Sequence, residues 1–286
     1  MRIAVGVEYA GGRYAGWQRQ DGLATIQDEL ERALAAVAAH PVAATGAGRT
    51  DAGVHALEQV AHFDTGSERP LRGWVLGANV ELPSDIAVRW AAHVPDDFHA
   101  RRSALSRTYC YLVLNRRTRP ALARERVAFV HEPVSVPPMA EAARALLGRH
   151  DFSAFRAAEC QSPTPVRELK DLTIRASGEL IEFWVTADAF LHHMVRNLVG
   201  TLLEVGTGAR PAGWVAAALE SRDRRAAGPT APAQGLYLAR VRYPEAYGLP
   251  VAEAATVSAM IPREPPLSTA ARPAERWPDP PAEDAP

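Results

Sequence analysis

Cysteine is nearly missing from this chain: Cys110 and Cys160 are the only two in 286 residues. Neither has partner residues at metal-ligand spacing, which excludes a disulfide framework and a zinc site. Two free thiols of this kind fit a reducing cytoplasm and, as side chains, fit small buried apolar positions. Lysine is scarcer still, with Lys170 alone, so the remaining basic charge is arginine. The planar guanidinium matches phosphate bidentately, although a GC-rich genome gives the same bias without a ligand. No run of about 18 apolar residues occurs, which excludes an apolar membrane-spanning helix. The opening Met1-Arg2-Ile3-Ala4-Val5-Gly6-Val7-Glu8-Tyr9 meets an acid too early for a signal peptide and has strand character instead. Absent as well are H-E-x-x-H, G-x-S-x-G and C-x-x-C, which removes common metalloprotease, serine-hydrolase and thiol-redox arrangements.

Net charge is also small, at −1, so no global field draws in a polyanion. The distribution is uneven. Residues 245–286 carry seven acids and three arginines, leaving residues 1–244 at +3. Hydrophobic content of 47% beside 23% charged residues belongs to a globular protein with a sizeable core. Residues 257–286 differ, with eight prolines in thirty and almost no apolar periodicity. Such a composition cannot bury enough surface to offset its ordering entropy, and the segment is expected to be disordered.

Strand-like and helical patterns alternate over the first 244 residues. Strands are expected at Arg2–Tyr9, Leu57–Phe63, Ile86–Val94, Thr108–Asn115, Val166–Ala176, Leu180–Ala187 and Leu236–Tyr243. Thr25 is placed to cap a helix over residues 25–39, with Asp28 three positions on and Ile26, Leu30, Leu34 and Val37 at helical spacing. Further helices are expected at Met139–Leu147, Phe190–Gly206 and Gly213–Ser221. Ser177-Gly178 separates two strand patterns and signals a hairpin. Adjacent strand pairs with fewer helices favour an antiparallel sheet covered by helices, an α+β protein.

Three stretches can carry chemistry. Gly46-Ala47-Gly48-Arg49-Thr50-Asp51-Ala52-Gly53-Val54-His55-Ala56 frames an arginine and an aspartate with glycines, suited to close approach of backbone and ligand. It is neither a dinucleotide fingerprint, since Asp51 replaces the third glycine, nor a P-loop, since it lacks the lysine. Arg49 and Asp51 suit a structural ion pair at a turn; they equally suit an arginine keeping a nucleophilic carboxylate ionised. In Phe190-Leu191-His192-His193-Met194-Val195-Arg196, paired histidines suggest a metal. On a helix, however, neighbours point about 100° apart and chelate poorly, so one packed and one hydrogen-bonded ring is the plainer reading. Arg196, three residues beyond His193, shares its face. His55 and His62 have no evident catalytic partner. Phe98-His99-Ala100-Arg101-Arg102-Ser103 and Ser106-Arg107-Thr108-Tyr109-Cys110-Tyr111 interleave arginine and aromatics, which suits phosphate contact with base stacking and equally suits a core strand.

Gly48-Arg49-Thr50-Asp51-Ala52-Gly53-Val54-His55 resembles the signature of the TruA-type pseudouridine synthases. Other blocks agree in order and spacing: residues 14–20 (YAGWQRQ), 95–101 (PDDFHAR), 150–156 (HDFSAFR), the 192–200 stretch and 230–238 (TAPAQGLYL). The resemblance covers roughly residues 1–250 and leaves the proline-rich tail outside. It implies the pseudouridine-synthase fold, with two similar halves of antiparallel sheet flanked by helices. The expected division is an N-terminal half with the catalytic loop at 1–104, a C-terminal half at 105–250, and a tail at 251–286. By position, Asp51 corresponds to the nucleophile and Arg49 to its flanking partner, which holds the RNA strand open. Tyr109 corresponds to the tyrosine that stacks on the target base, and Arg196 to the basic residue paired with the aspartate. The implied reaction is isomerisation of uridine to pseudouridine at positions 38, 39 and 40 of the tRNA anticodon stem-loop. It needs no cofactor and no metal. A cytoplasmic homodimer whose RNA groove is lined by both subunits is also implied. Two other readings stay open at this point: a carboxylate nucleosidase, although no second carboxylate is placed near Asp51, and a tRNA-binding chaperone without catalysis.

Overall fold

The computed structural model describes residues 1–250, and the proline-rich tail expected to be disordered lies outside the described residues. In chain order the elements are β1 (Arg2–Tyr9), α1 (Ile26–Ala38), β2 (Thr45–Gly46), β3 (His55–Asp64), α2 (Leu71–Glu81), β4 (Ile86–Val94), β5 (Ser106–Asn115) and β6 (Ala128–Val130). There follow α3 (Val136–Ala143), β7 (Gly148–Asp151), β8 (Val166–Ser177), β9 (Leu180–Ala187), α4 (Met194–Gly206), α5 (Gly213–Ser221) and β10 (Leu236–Arg242). All strands join one ten-stranded sheet ordered β4-β1-β3-β10-β5-β9-β8-β7, with β2 beside β3 and β6 beside β5. The α+β expectation holds. The sheet is mostly antiparallel, as expected, and is made continuous by β10, which pairs with β3 in parallel, Tyr237 opposite His55 and Leu238 opposite Ala56. The last strand of the described residues therefore sits beside the strand that follows the Asp51 loop.

Strand alternation builds a layer on each face. On β5, Tyr109, Tyr111 and Val113 join the large cluster that includes Leu30 and Leu34 of α1 and Leu198 and Leu202 of α4. Cys110, Leu112 and Leu114 point the other way, into a small cluster with Leu57, Val127, Leu180 and Tyr237. Period-two alternation requires that division. Burial of Leu30 and Leu34, both fully inaccessible, stabilises by about 1.5–3 kcal/mol each. Both cysteines are free and buried, as expected.

Local signals explain most boundaries. The Thr25 hydroxyl accepts from the Asp28 amide at 3.3 Å and donates to the Asp28 carboxylate at 2.6 Å, so α1 starts where expected. Between β8 and β9, Gly178 takes φ +60 in a two-residue loop that pairs Ser177 with Leu180, the glycine-first pattern of a tight hairpin. Two helices differ from expectation. α2 was not anticipated: Gly73 and Gly77 weaken its helical pattern, yet Trp74 and Ala78 are buried. A Cβ at Gly77 would lie 2.8 Å from a Val37 methyl, so that glycine lets α1 and α2 approach. The helix expected from Phe190 begins only at Met194. The carboxylate of Asp188 accepts from the amides of Ala189 and Glu168, holding the preceding segment as a turn, and His193 enters the helix with φ +59.

Candidate active site

Asp51 lies in the loop between β2 and β3, and long-range contacts define that loop. The Trp17 amide donates to the Thr50 carbonyl at 3.0 Å, and the Thr50 hydroxyl meets the buried Tyr9 hydroxyl at 2.8 Å. The Gln59 side chain donates to the Gly48 carbonyl at 2.7 Å, and Arg107 donates to the Ala47 carbonyl at 2.9 Å. Gly16 has φ +96, and a Cβ there would sit 2.4 Å from the Thr50 carbonyl oxygen. Only glycine permits that approach. His55 closes the loop: its Nδ1 accepts from the Gly11 amide at 3.1 Å, so its Nε2 proton donates to the Glu125 carbonyl at 2.9 Å.

From the opposite side, α4 supplies Arg196. Its Nη1 stands 3.1 Å from Asp51 Oδ2, and its Nε donates to the Ala231 carbonyl at 2.8 Å. The Ala231 amide in turn donates to the Arg196 carbonyl at 3.1 Å. That close passage needs Gly200, where a Cβ would fall 1.8 Å from the Pro229 carbonyl oxygen. Thus the loops leading into the two parallel strands, β3 and β10, face each other across the Asp51–Arg196 pair.

The histidines overturn the sequence expectation of one packed and one hydrogen-bonded ring. They precede the helix, so the 100° rule does not apply. His192 Nε2 lies 3.3 Å from Asp51 Oδ1 and His193 Nε2 lies 3.4 Å from Oδ2, with the two rings 4.0 Å apart. Burial holds the His193 imidazole below its usual pKa, against the raising effect of Asp51. Donor atoms of Asp51, His192 and His193 lie within 4.8 Å of one another, a span a metal ion can bridge, but the Arg196 guanidinium occupies one of the same oxygens.

Arg49 is not the ion-pair partner that its nearness in sequence suggested. It reaches away from Asp51, its Nε donating to Gln18 Oε1 at 3.2 Å. The Asp51 carboxylate instead turns towards α4, where Arg196 meets it. Tyr109 lies beside the site: a Cβ at Gly48 would be 4.0 Å from its hydroxyl, and its ring packs edge-on against Phe190 at 5.0 Å. Burial, then the Asp51 charge, raises the pKa of that hydroxyl. Tyr111 and Phe98 are core residues, fully buried. His55 and His62 are buried too, the latter accepting from the Ala100 amide at 3.2 Å.

A family model described as tRNA pseudouridine synthase matches residues 6–101 and 142–244. The chain belongs to the tRNA pseudouridine synthase family. It is 52% identical over 250 residues to a tRNA pseudouridine synthase A of Pseudomonas aeruginosa, covering 87% of this chain and 88% of the relative. It is 53% identical to proteins of the same description from Aeromonas hydrophila (250 residues, 93% of the relative) and Methylococcus capsulatus (249 residues, 92%), each again over 87% of this chain. Within the family frame, Asp51, Arg196, His192, His193 and Tyr109 converge on one open site. Sequence reasoning had not counted His192 and His193 in that group. The adjacency of two histidines three residues before Arg196 was the available signal.

Proposed function

We propose that this chain converts uridine to pseudouridine in the anticodon stem-loop of tRNA, at positions 38, 39 and 40, with Asp51 as the nucleophile. The observation that carries the reading is the Asp51 carboxylate, one oxygen gripped by Arg196 at the meeting point of the two strand-entry loops. The reaction detaches the base at N1, rotates it and rejoins it to the ribose through C5. It has no net redox change and transfers no group to a second molecule. A carboxylate nucleophile, a base turned out of its stack and a water-poor pocket meet its needs. Arg196 holds the Asp51 carboxylate in place through its 3.1 Å contact with Oδ2. Tyr109 offers the flipped base an aromatic neighbour whose hydroxyl stays protonated. Arg49, with an exposed guanidinium hinged on Gln18, is free to hold the displaced strand.

Among the described residues no helix is long and apolar enough to cross a membrane. A cytoplasmic homodimer with halves at 1–104 and 105–250 completes the proposal, and the near-neutral charge calls for local arginine patches along the RNA groove.

The test uses tRNA tritiated at uridine C5, without added metal or cofactor. Joining C5 to ribose expels that hydrogen into water, so wild type releases tritium and Asp51→Asn does not. No release by folded wild type would sink the assignment and favour an RNA-binding role without catalysis. Free uracil in the mixture would favour a nucleosidase.

A further inference from the structure

The two oxygens of Asp51 are held unequally. Oδ2 takes both Arg196 at 3.1 Å and His193 at 3.4 Å. His192 alone faces Oδ1, at 3.3 Å, with 39% of its side chain exposed against 28% for His193 and 15% for Arg196. Oδ1 is therefore the oxygen with an open approach, and His192 stands between it and solvent.

Resting on the uridine-to-pseudouridine reading, the reaction has a step to which no residue has yet been assigned. After C5 joins the ribose, that carbon still carries its hydrogen. The C5–H bond breaks and its electron pair restores the C5=C6 double bond, the C6=N1 π pair passes to N1, which takes a proton from water, and the C5 proton must leave. We propose that His192 is a catalytic residue that carries this proton out: Asp51 Oδ1, free again as a carboxylate, takes it from C5, and His192 Nε2 takes it from Oδ1. The imidazolium then loses a proton from Nδ1 to water. The balance closes with no oxidant, reductant or second substrate.

Chemistry favours this route over its neighbours. His192 Nε2 lies 3.3 Å from Oδ1, within reach of a direct proton transfer. At rest an ionised carboxylate favours the tautomer with the proton on Nε2. Once Oδ1 itself carries a proton the preference inverts, and an exposed ring exchanges its protons with water. His193 is the poorer candidate, because it shares Oδ2 with a guanidinium and burial lowers its basicity. Tyr109 is excluded as an acceptor, since burial and the Asp51 charge keep its hydroxyl protonated. The His192 backbone is fixed from both sides, its amide donating to Cys160 Sγ at 3.4 Å and its carbonyl accepting from the Ala157 amide at 3.0 Å. Its ring can thus turn while the chain stays in place.

The experiment compares tRNA bearing hydrogen or deuterium at C5 of the target uridine, with pseudouridine formation followed in single turnovers. His192→Ala should slow the reaction on the order of 10²-fold, the usual contribution of a positioned acid–base group. It should also show a larger C5 deuterium effect than wild type, because proton departure has become limiting. Added imidazole should restore rate and shrink that effect. His192→Gln keeps an N–H for Asp51 but has no proton to relay, so it should behave as His192→Ala does. A slow variant whose deuterium effect stays at the wild-type value would overturn the proposal, and so would full activity in His192→Gln. Failure of wild type to form pseudouridine at all would instead strike the functional reading beneath it.

Discussion

Arg196 Nη1 and Asp51 Oδ2 are 145 residues apart in sequence and 3.1 Å apart in space. The pair joins the segment that enters β3 to α4, and Arg196 Nε also holds the Ala231 carbonyl of the segment that enters β10, so the carboxylate is aligned by tertiary structure and not by its own loop. A charged hydrogen bond of this kind contributes roughly 1.5–3 kcal/mol, and its loss uncouples both Asp51 and the Ala231 carbonyl.

Arg196→Ala should therefore lower the single-turnover rate by about 10²-fold while the protein remains folded. Arg196→Lys should recover little, because one ammonium cannot reproduce the separated Nε and Nη1 donors. Rates within threefold of wild type for both variants would show that the pair does not align the nucleophile.

Two glycines should respond oppositely to the same added methyl. At Gly200 a Cβ falls 1.8 Å from the Pro229 carbonyl oxygen, an obstacle made of backbone. Gly200→Ala should cost about 2–4 kcal/mol and should reduce activity, since Pro229 neighbours the Ala231 anchor of Arg196. At Gly213, the first residue of α5, nothing lies within 4 Å. Gly213→Ala should gain about 0.4–1 kcal/mol by restricting the unfolded chain. Calorimetric Tm values should move in opposite directions; equal shifts would refute the close passage at Gly200.

What sequence alone revealed follows the range of the forces involved. β1, β4 and α1 were legible because alternation, helical spacing and the Thr25 cap are local. Asp51, Tyr109 and Arg196 came from motif resemblance, and spacing alone could not have joined residues so distant. The start of α4 was missed because the turn before it depends on the Asp188 carboxylate bonding the Glu168 amide, a contact 20 residues away. That error hid both histidines, which were assigned to helix faces. The junction that makes the sheet continuous is two residue pairs long, Tyr237–His55 and Leu238–Ala56, too short to leave a pattern.

Removal of residues 257–286 should leave turnover on tRNA unchanged. Their composition cannot support a core, and the alignments to relatives span about 250 residues. A large loss of activity in the truncated protein would assign the tail a part in folding or RNA capture.

Stability should fall as pH drops from about 6.5 towards 4. His55 and His62 are 2% and 7% exposed, and burial pushes both down to about 4. In each, an arginine lowers the value further, Arg126 beside His55 and Arg2 beside His62. Unfolded, an imidazole titrates near 6.5. Between the two values the unfolded chain binds the extra protons, so the stability that depends on neutral rings is complete above about 6.5 and lost as pH falls through the window. Each ring contributes a few kcal/mol at most. Glu58 acts the other way, because burial raises its pKa; a carboxyl protonated in the fold loses stability as pH rises, which offsets part of the effect near the acid end. Urea midpoints measured from pH 7.5 down to 4.5 should decline, with a shallower decline in His62→Gln. That variant keeps an acceptor for the Ala100 amide and removes one titrating ring. A midpoint that stays flat from pH 7 to 5 would mean that these histidines bind protons equally in the folded and unfolded chain, and that their burial does not govern acid stability.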